Sequence, residues 1–106
     1  DFKKELESRG AVISQTNDLD GVIEDADMLH VIRPQRERWE GKDNKAYQSV
    51  DKSVFAKMKN DALVLHALPR TGELDPETDT DPRSVIFEQV ENGLYVRGAL
   101  LEWILS

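Results

Sequence analysis

Short apolar runs separated by polar, helix-like segments make up the first two thirds of the chain. The runs at 11–14, 28–32 and 62–65 are four or five residues long and carry no formal charge, which predicts strands. The segments 2–9 and 18–25 place apolar residues at helical spacing and therefore predict amphipathic helices. Because helices alternate with strands, the pattern predicts an α/β fold with an open parallel sheet and flanking helices.

The remainder of the chain has helical patterns on either side of the third strand. A packed helix is predicted before it, from apolar residues at helical spacing: Tyr47, Val50, Val54, Phe55 and Met58. Residues 69–82 are acidic and turn-rich, which predicts a long loop. Asp81 as N-cap and Pro82 in the first turn then predict a helix that continues over 83–91 and ends at Asn92-Gly93. Residues 94–105 carry few charges, so a final helix buried on nearly all sides is expected. We therefore divide the chain into an α/β unit, 1–93, and a C-terminal helix, 94–106.

Length and composition limit the possible partners. The chain has 106 residues and begins and ends within helical patterns, which indicates an excised piece of a larger protein; a small domain that dimerises through its final helix is the alternative. A net charge of −7 without a basic stripe argues against nucleic acid, and no apolar stretch approaches the roughly 20 residues of a membrane span. The first residues, Asp1-Phe2-Lys3-Lys4, lack the apolar region of a secretion signal, so a cytoplasmic location is the default expectation.

Metal and nucleotide chemistry also have little support in the sequence. The chain has no cysteine and only two histidines, which are far apart, so neither a disulfide nor a zinc site is expected. No Gly-x-Gly-x-x-Gly or P-loop pattern is present, so no nucleotide cofactor is predicted.

Polar groups follow two of the predicted strands. Arg33 and Gln35 come directly after the strand at 28–32, and His66 follows the run at 62–65. Pro69 has no N–H to donate and should end the ladder there, which leaves the preceding carbonyls without ladder partners. If the two strands are parallel neighbours, these groups lie at one edge of the sheet, where a guanidinium and an amide could bind a carboxylate. The alternatives are a solvated first turn of a helix and carbonyls that face water.

Three motifs resemble the aspartate carbamoyltransferase family. They occur in order over essentially the whole chain: Arg33-Pro34-Gln35-Arg36-Glu37-Arg38, then His66-Ala67-Leu68-Pro69-Arg70 followed by Glu73-Leu74, and then Asp79-Thr80-Asp81-Pro82-Arg83 continuing through Glu91-Asn92-Gly93 to Leu101. The resemblance implies a partial, Rossmann-like second domain of the catalytic chain, which binds L-aspartate. It also implies that the final helix, 94–106, packs on the missing carbamoyl-phosphate domain.

The resemblance also implies the roles of individual residues. Arg33 and Gln35 would bind the carboxylates of aspartate. Main-chain carbonyls of the loop would hold the amino groups of the substrates, and the bond between its last two residues would be cis; this loop comprises His66, Ala67, Leu68 and Pro69. Four further residues are expected to orient the site or connect the two domains: Glu37, Arg38, Arg70 and Glu73.

The implied reaction is attack by the α-amine of aspartate on the carbonyl carbon of carbamoyl phosphate. It yields N-carbamoyl-L-aspartate and phosphate for de novo pyrimidine biosynthesis, without a cofactor. Carbamoyl phosphate would be held by the missing domain and by an adjacent subunit of a homotrimer. The fragment therefore contains no catalytic residue and is expected to be inactive alone, and its uncovered final helix should expose an apolar patch: Leu100, Trp103, Ile104 and Leu105.

Two departures from the family pattern leave other functions open. Ala67 stands where the family usually has a proline, and Thr71-Gly72 replaces the usual Val-Asp or Val-Asn. A non-catalytic amino-acid-binding or regulatory module of the same fold is one alternative. A carbamoyltransferase for another amino acid, such as ornithine, is another, although fixed positive charge at Arg33 favours a second carboxylate over an ammonium.

Overall fold

The computed structural model describes residues 1–35 and 48–106. Helices and strands alternate along these residues, as the apolar pattern predicts. In chain order the elements are α1 (Phe2–Ser8), α2 (Asp20–Ile23), β1 (Met28–Val31), α3 (Lys52–Phe55), β2 (Leu63–His66), a 3-10 turn (Pro76–Thr78) and α4 (Ile86–Leu105).

The sheet consists of β1 and β2, which pair in parallel from Met28 opposite Leu63 to Val31 opposite His66. This pairing confirms the predicted α/β architecture with a parallel sheet. The strand predicted at 11–14 is wrong, because that segment pairs with no strand in the described part of the chain, and Val12 is 98% exposed. A strand needs a neighbour that satisfies its N–H and C=O groups, and an apolar run does not supply one.

The other edge of β2 is covered by residues 83–85. The Val64 N–H donates to the Arg83 carbonyl at 2.7 Å, and the Val85 N–H donates to the Val64 carbonyl at 3.1 Å. The Arg83 carbonyl is an acceptor that a helix from residue 83 would need for its own hydrogen bonds. The helix predicted from Pro82 therefore begins four residues later than expected, at Ile86.

Residues before and after β2 meet at a second short bridge. The Val50 N–H donates to the Glu73 carbonyl and the Asp75 N–H donates to the Val50 carbonyl, both at 2.9 Å. Val50 is therefore extended, which contradicts its predicted place in a helix, and α3 is confined to one turn capped by the Asp51 carboxylate. Tyr47 lies outside the described residues. The bridge therefore holds residues 73–75 of the predicted long loop in place beside Val50.

Arg83 joins α3 to the chain after the loop. Its guanidinium donates to the carbonyls of Phe55, Met58 and Lys59 and pairs with Asp81, so it satisfies carbonyls at the end of a short helix. The core around these contacts consists of ten buried apolar side chains: Ile23, Val31, Val50, Val54, Phe55, Met58, Ala62, Val64, Leu74 and Ile86.

The final helix, α4, runs for 20 residues without interruption. The break predicted at Asn92-Gly93 is wrong, because a glycine inside a helix costs only about 1 kcal/mol, which the surrounding turns can offset. In the described chain Ile86 is the buried residue of α4, so burial of this helix on nearly all sides would need a surface outside these residues. The expected patch is exposed instead: Leu100 47%, Trp103 76%, Ile104 69% and Leu105 82%.

The predicted boundary at residue 93 thus lies inside one helix, and the packing of 94–106 on another domain stays a prediction. None of the helices in the described ranges is both long and apolar enough to cross a membrane.

Candidate functional site

The carboxyl ends of β1 and β2 define the candidate site. Val31 and His66 are the last paired residues, so Arg33 and Leu68 each lie two residues beyond the same edge of the sheet. Arg33 is half-buried and Gln35 is exposed. The parallel register therefore brings the Arg33–Gln35 segment and the loop 66–69 to one edge, while their roles in binding stay predictions. Glu37 and Arg38 lie outside the described residues.

His66 is the centre of the hydrogen bonding at this edge. It is 1% exposed, and its main-chain N–H donates to Gln89 Oε1 at 3.1 Å. Its Nδ1 accepts the Leu68 N–H at 2.8 Å, and its Nε2 lies 2.7 Å from Glu73 Oε1. Because Nδ1 acts as an acceptor, the ring proton belongs on Nε2, which donates it to the Glu73 carboxylate. The imidazole is therefore engaged in hydrogen bonds inside the protein, and ligand binding by the main-chain carbonyls of the loop stays a prediction.

The loop after His66 has an unusual backbone. Leu68 has a φ of +47°, in the left-handed region that branched side chains rarely adopt, and the Leu68–Pro69 bond is cis, as the resemblance implies. The bond from the Leu68 N–H to the imidazole holds this conformation. Ala67 and Pro69 are exposed and Leu68 is half-buried, so the loop lies at the surface of the described chain.

Glu73 is buried beside His66 at 2% exposure. One carboxylate oxygen receives the His66 bond, and the other accepts the Thr71 N–H at 3.0 Å and the Thr71 hydroxyl at 3.1 Å. Burial by itself would raise the pKa of Glu73, but these hydrogen bonds outweigh it and hold the pKa below its ordinary value. In the described chain Glu73 thus contacts the loop from inside, and its orienting or interdomain role stays a prediction.

Arg70 forms a two-point ion pair with Asp79 across the acidic loop. The hydrogen bonds raise the pKa of the Arg70 guanidinium and lower the pKa of the Asp79 carboxyl. Both side chains are mostly buried, at 19% and 24% exposure. This pair holds the segment after Pro69 against the 3-10 turn, so Arg70 is engaged within the chain.

The lowered pKa values of Glu73 and Asp79 predict a loss of stability in acid. A carboxyl whose folded pKa is depressed stabilises the fold above its unfolded pKa, about 4 for these groups, and loses that contribution as the pH falls through the folded pKa. We expect urea midpoints that are level near neutral pH and decrease below about pH 4. Asp79→Asn should reduce this decrease, whereas the exposed Glu24→Gln should leave it unchanged; identical profiles for wild type and Asp79→Asn would contradict the prediction.

Two polar residues at this edge are not predicted by the sequence patterns. Gln89 and Arg97, both on α4, line a cavity of about 530 Å³ beside His66 and Ala67. They follow Pro69, the last residue of the loop, by 20 and 28 residues, so no local spacing rule connects them with it. Only the resemblance, which extends over this helix, marks the segment as part of the same unit. No group of His, Cys, Asp or Glu in the described ranges could hold a metal ion.

Comparison with known proteins gives the family. Residues 1–104 match the Asp/Orn binding domain of aspartate/ornithine carbamoyltransferases. The chain belongs to this family. Among curated relatives, the aspartate carbamoyltransferase catalytic subunit of Clostridium kluyveri is 39% identical over 99% of this chain and 36% of its own length. The corresponding subunit of Thermoplasma acidophilum is 42% identical over 89% of this chain and 32% of its own length.

Solved carbamoyltransferase structures show the same fold. Aspartate transcarbamoylase from Trypanosoma cruzi with carbamoyl phosphate has a TM-score of 0.82 and 32% identity, over 93% of this chain and 33% of that chain. The complex of the same enzyme with aspartate and phosphate has a TM-score of 0.79 and 34% identity, over 93% and 30%. The present chain therefore spans about a third of the length of the relatives that it matches.

Proposed function

We propose that the chain is the aspartate-binding part of a carbamoyltransferase that transfers the carbamoyl group of carbamoyl phosphate to L-aspartate. The observation that carries this proposal is the parallel register of β1 and β2, which brings Arg33 and the loop 66–69 to one sheet edge within a chain matched over 1–104. The relatives named as aspartate carbamoyltransferases, and the Trypanosoma cruzi enzyme with aspartate bound, support the choice of substrate.

The two sides of this edge have complementary chemistry for an amino acid with two carboxylates. Arg33 and Gln35 supply N–H donors and a fixed positive charge, which suit carboxylates. The loop supplies main-chain carbonyls, which accept hydrogen bonds from amino groups. We infer that carboxylates of aspartate bind at Arg33 and Gln35 while its α-amine faces the loop. Glu37 would orient Arg33 and Arg38 would help to hold the domains together.

The reaction needs no covalent intermediate with the protein. The α-amine nitrogen forms a bond to the carbonyl carbon of carbamoyl phosphate, the bond from that carbon to the phosphate oxygen breaks, and the amine loses a proton as phosphate leaves. The contribution of this chain is to hold the amine in place, which lowers the barrier by positioning. Carbamoyl phosphate would be bound by the rest of the parent protein and by an adjacent subunit of a homotrimer, so the chain alone should be inactive.

The departures at Ala67 and Gly72 are compatible with a loop that binds substrate. With alanine at 67 the loop keeps a defined shape through the His66 and Glu73 contacts. Gly72 has a φ of +113°, a conformation that favours glycine, so this residue fits the backbone at its position. Both observations support a loop whose main-chain carbonyls can still bind a substrate.

The test is carbamoyl transfer by the parent protein that contains this chain, with aspartate and ornithine compared as acceptors. For the parent protein we expect turnover with aspartate and competitive inhibition by succinate. The purified 106 residues should show no turnover. Faster carbamoylation of ornithine would assign another substrate. An absence of turnover with either acceptor, together with retained aspartate binding, would favour the non-catalytic module.

A further inference from the structure

A side chain from α4 reaches the point where β2 becomes the loop. Gln89 Oε1 accepts the His66 N–H at 3.1 Å, and Gln89 is half-buried in the first turns of the helix. The other two hydrogen bonds of His66 go to Leu68 and Glu73, which belong to the loop itself or to the segment that follows it. Within the described residues, Gln89 is thus the side chain from a packed helix that is hydrogen-bonded to this histidine.

The hydrogen bond between the His66 main-chain N–H and Gln89 lies where the chain enters the loop. The His66 N–H belongs to the peptide unit that enters the loop, so its acceptor fixes the orientation of that unit. His66 then fixes Leu68 through Nδ1, and Leu68 holds a backbone conformation that is unfavourable without support. The order of contacts runs from Gln89 to the His66 backbone, from the His66 ring to Leu68, and so to the carbonyls of the loop.

We propose that Gln89 is a positioning residue for the substrate loop, which orients the loop carbonyls toward the amino groups of the substrates without touching them. The inference rests on the proposed function, since it assigns Gln89 a part in binding aspartate and carbamoyl phosphate. Two properties of the side chain matter, its length and its acceptor oxygen. The NH2 end of the amide has no part in this role.

Variants of Gln89 in the parent protein separate the effect of the acceptor oxygen from that of the NH2 group. Gln89→Glu keeps an acceptor at the same distance, Gln89→Met keeps the length without an acceptor, and Gln89→Asn keeps the amide but is one methylene too short. We expect kcat/KM for aspartate to fall about tenfold in the Met and Asn variants, the effect of one lost hydrogen bond, and to stay within about threefold in the Glu variant. Glu88→Met, on the neighbouring exposed position, controls for the substitution itself.

A second measurement is independent of activity. Hydrogen exchange of the His66 amide should be faster in the Met and Asn variants and close to wild type in Gln89→Glu. Equal kinetics and equal exchange in all variants would overturn the proposal. Loss of activity in Gln89→Glu as large as in Gln89→Met would also overturn it, because the NH2 group would then be the functional end. If the wild-type parent does not turn over aspartate, the proposed function fails, whereas the exchange result still tests the role of Gln89 in holding the loop.

Discussion

Glu73→Ala is expected to cause the largest loss of stability of any single substitution in the loop region. The change removes the acceptor for His66 Nε2–H, the Thr71 N–H and the Thr71 hydroxyl, in a place where Glu73 is 2% exposed. The buried His66 Nε2–H left without a partner costs about 1–3 kcal/mol, and the exposed Thr71 loses two further hydrogen bonds. Urea unfolding of the chain, followed by circular dichroism, should therefore show a much lower midpoint.

Two further variants make this measurement specific. Glu73→Gln keeps the volume and one acceptor oxygen but turns an NH2 group toward His66 or Thr71. We therefore expect a urea midpoint between those of wild type and Glu73→Ala. Glu77→Ala removes an exposed carboxylate that pairs with Lys52, and it should change the free energy of unfolding by no more than about 0.5 kcal/mol. If Glu73→Ala were as stable as Glu77→Ala, the carboxylate would not be holding the loop.

In the parent protein, Arg33→Ala is expected to reduce kcat/KM for aspartate by about 10- to 150-fold. This range corresponds to the loss of a charged hydrogen-bonded pairing worth about 1.5–3 kcal/mol. The loss should fall on aspartate, because the guanidinium is assigned to a carboxylate of that substrate. The KM for carbamoyl phosphate should change little.

The lysine variant tests the geometry of the assignment. Arg33→Lys keeps the positive charge but cannot donate two parallel hydrogen bonds. We therefore expect its kcat/KM for aspartate to lie between the values of wild type and Arg33→Ala. Arg9→Ala is the matched control, since Arg9 is exposed and pairs with Glu5 on α1, far along the chain from the sheet edge. Unchanged aspartate kinetics in Arg33→Ala would show that another group binds the carboxylate.

The apolar pattern predicts the parts of the fold that depend on short-range order and burial. The β1–β2 pair follows from two short apolar runs separated by a helical segment, and this is the feature that locates the site. The pattern does not predict which backbone groups find partners. The run at 11–14 lacks a neighbouring strand in the described residues, and residues 83–85 pair with β2 instead of starting a helix.

The site is predictable only in part, for a similar reason. The convergence of Arg33 and the loop follows from the parallel sheet, and the cis bond at Leu68–Pro69 follows from the family resemblance. The contact between His66 and Glu73 depends on a turn stabilised through Val50, a residue 16 positions before His66. The bond from Gln89 spans 23 positions. Neither separation corresponds to a helical or strand repeat, so only the assembled structure reveals them.

The exposure of the carboxyl-terminal turns of α4 has a consequence for how the chain unfolds. Only its first turns touch the core, and every residue after Gly93 is exposed in the described structure. The outer part is therefore held by its own backbone hydrogen bonds, and isolated helices of about 12–15 residues or fewer are marginal in water. The carboxyl-terminal turns of α4 should open and close independently of the sheet, as a separate cooperative unit whose order depends on whatever surface covers them.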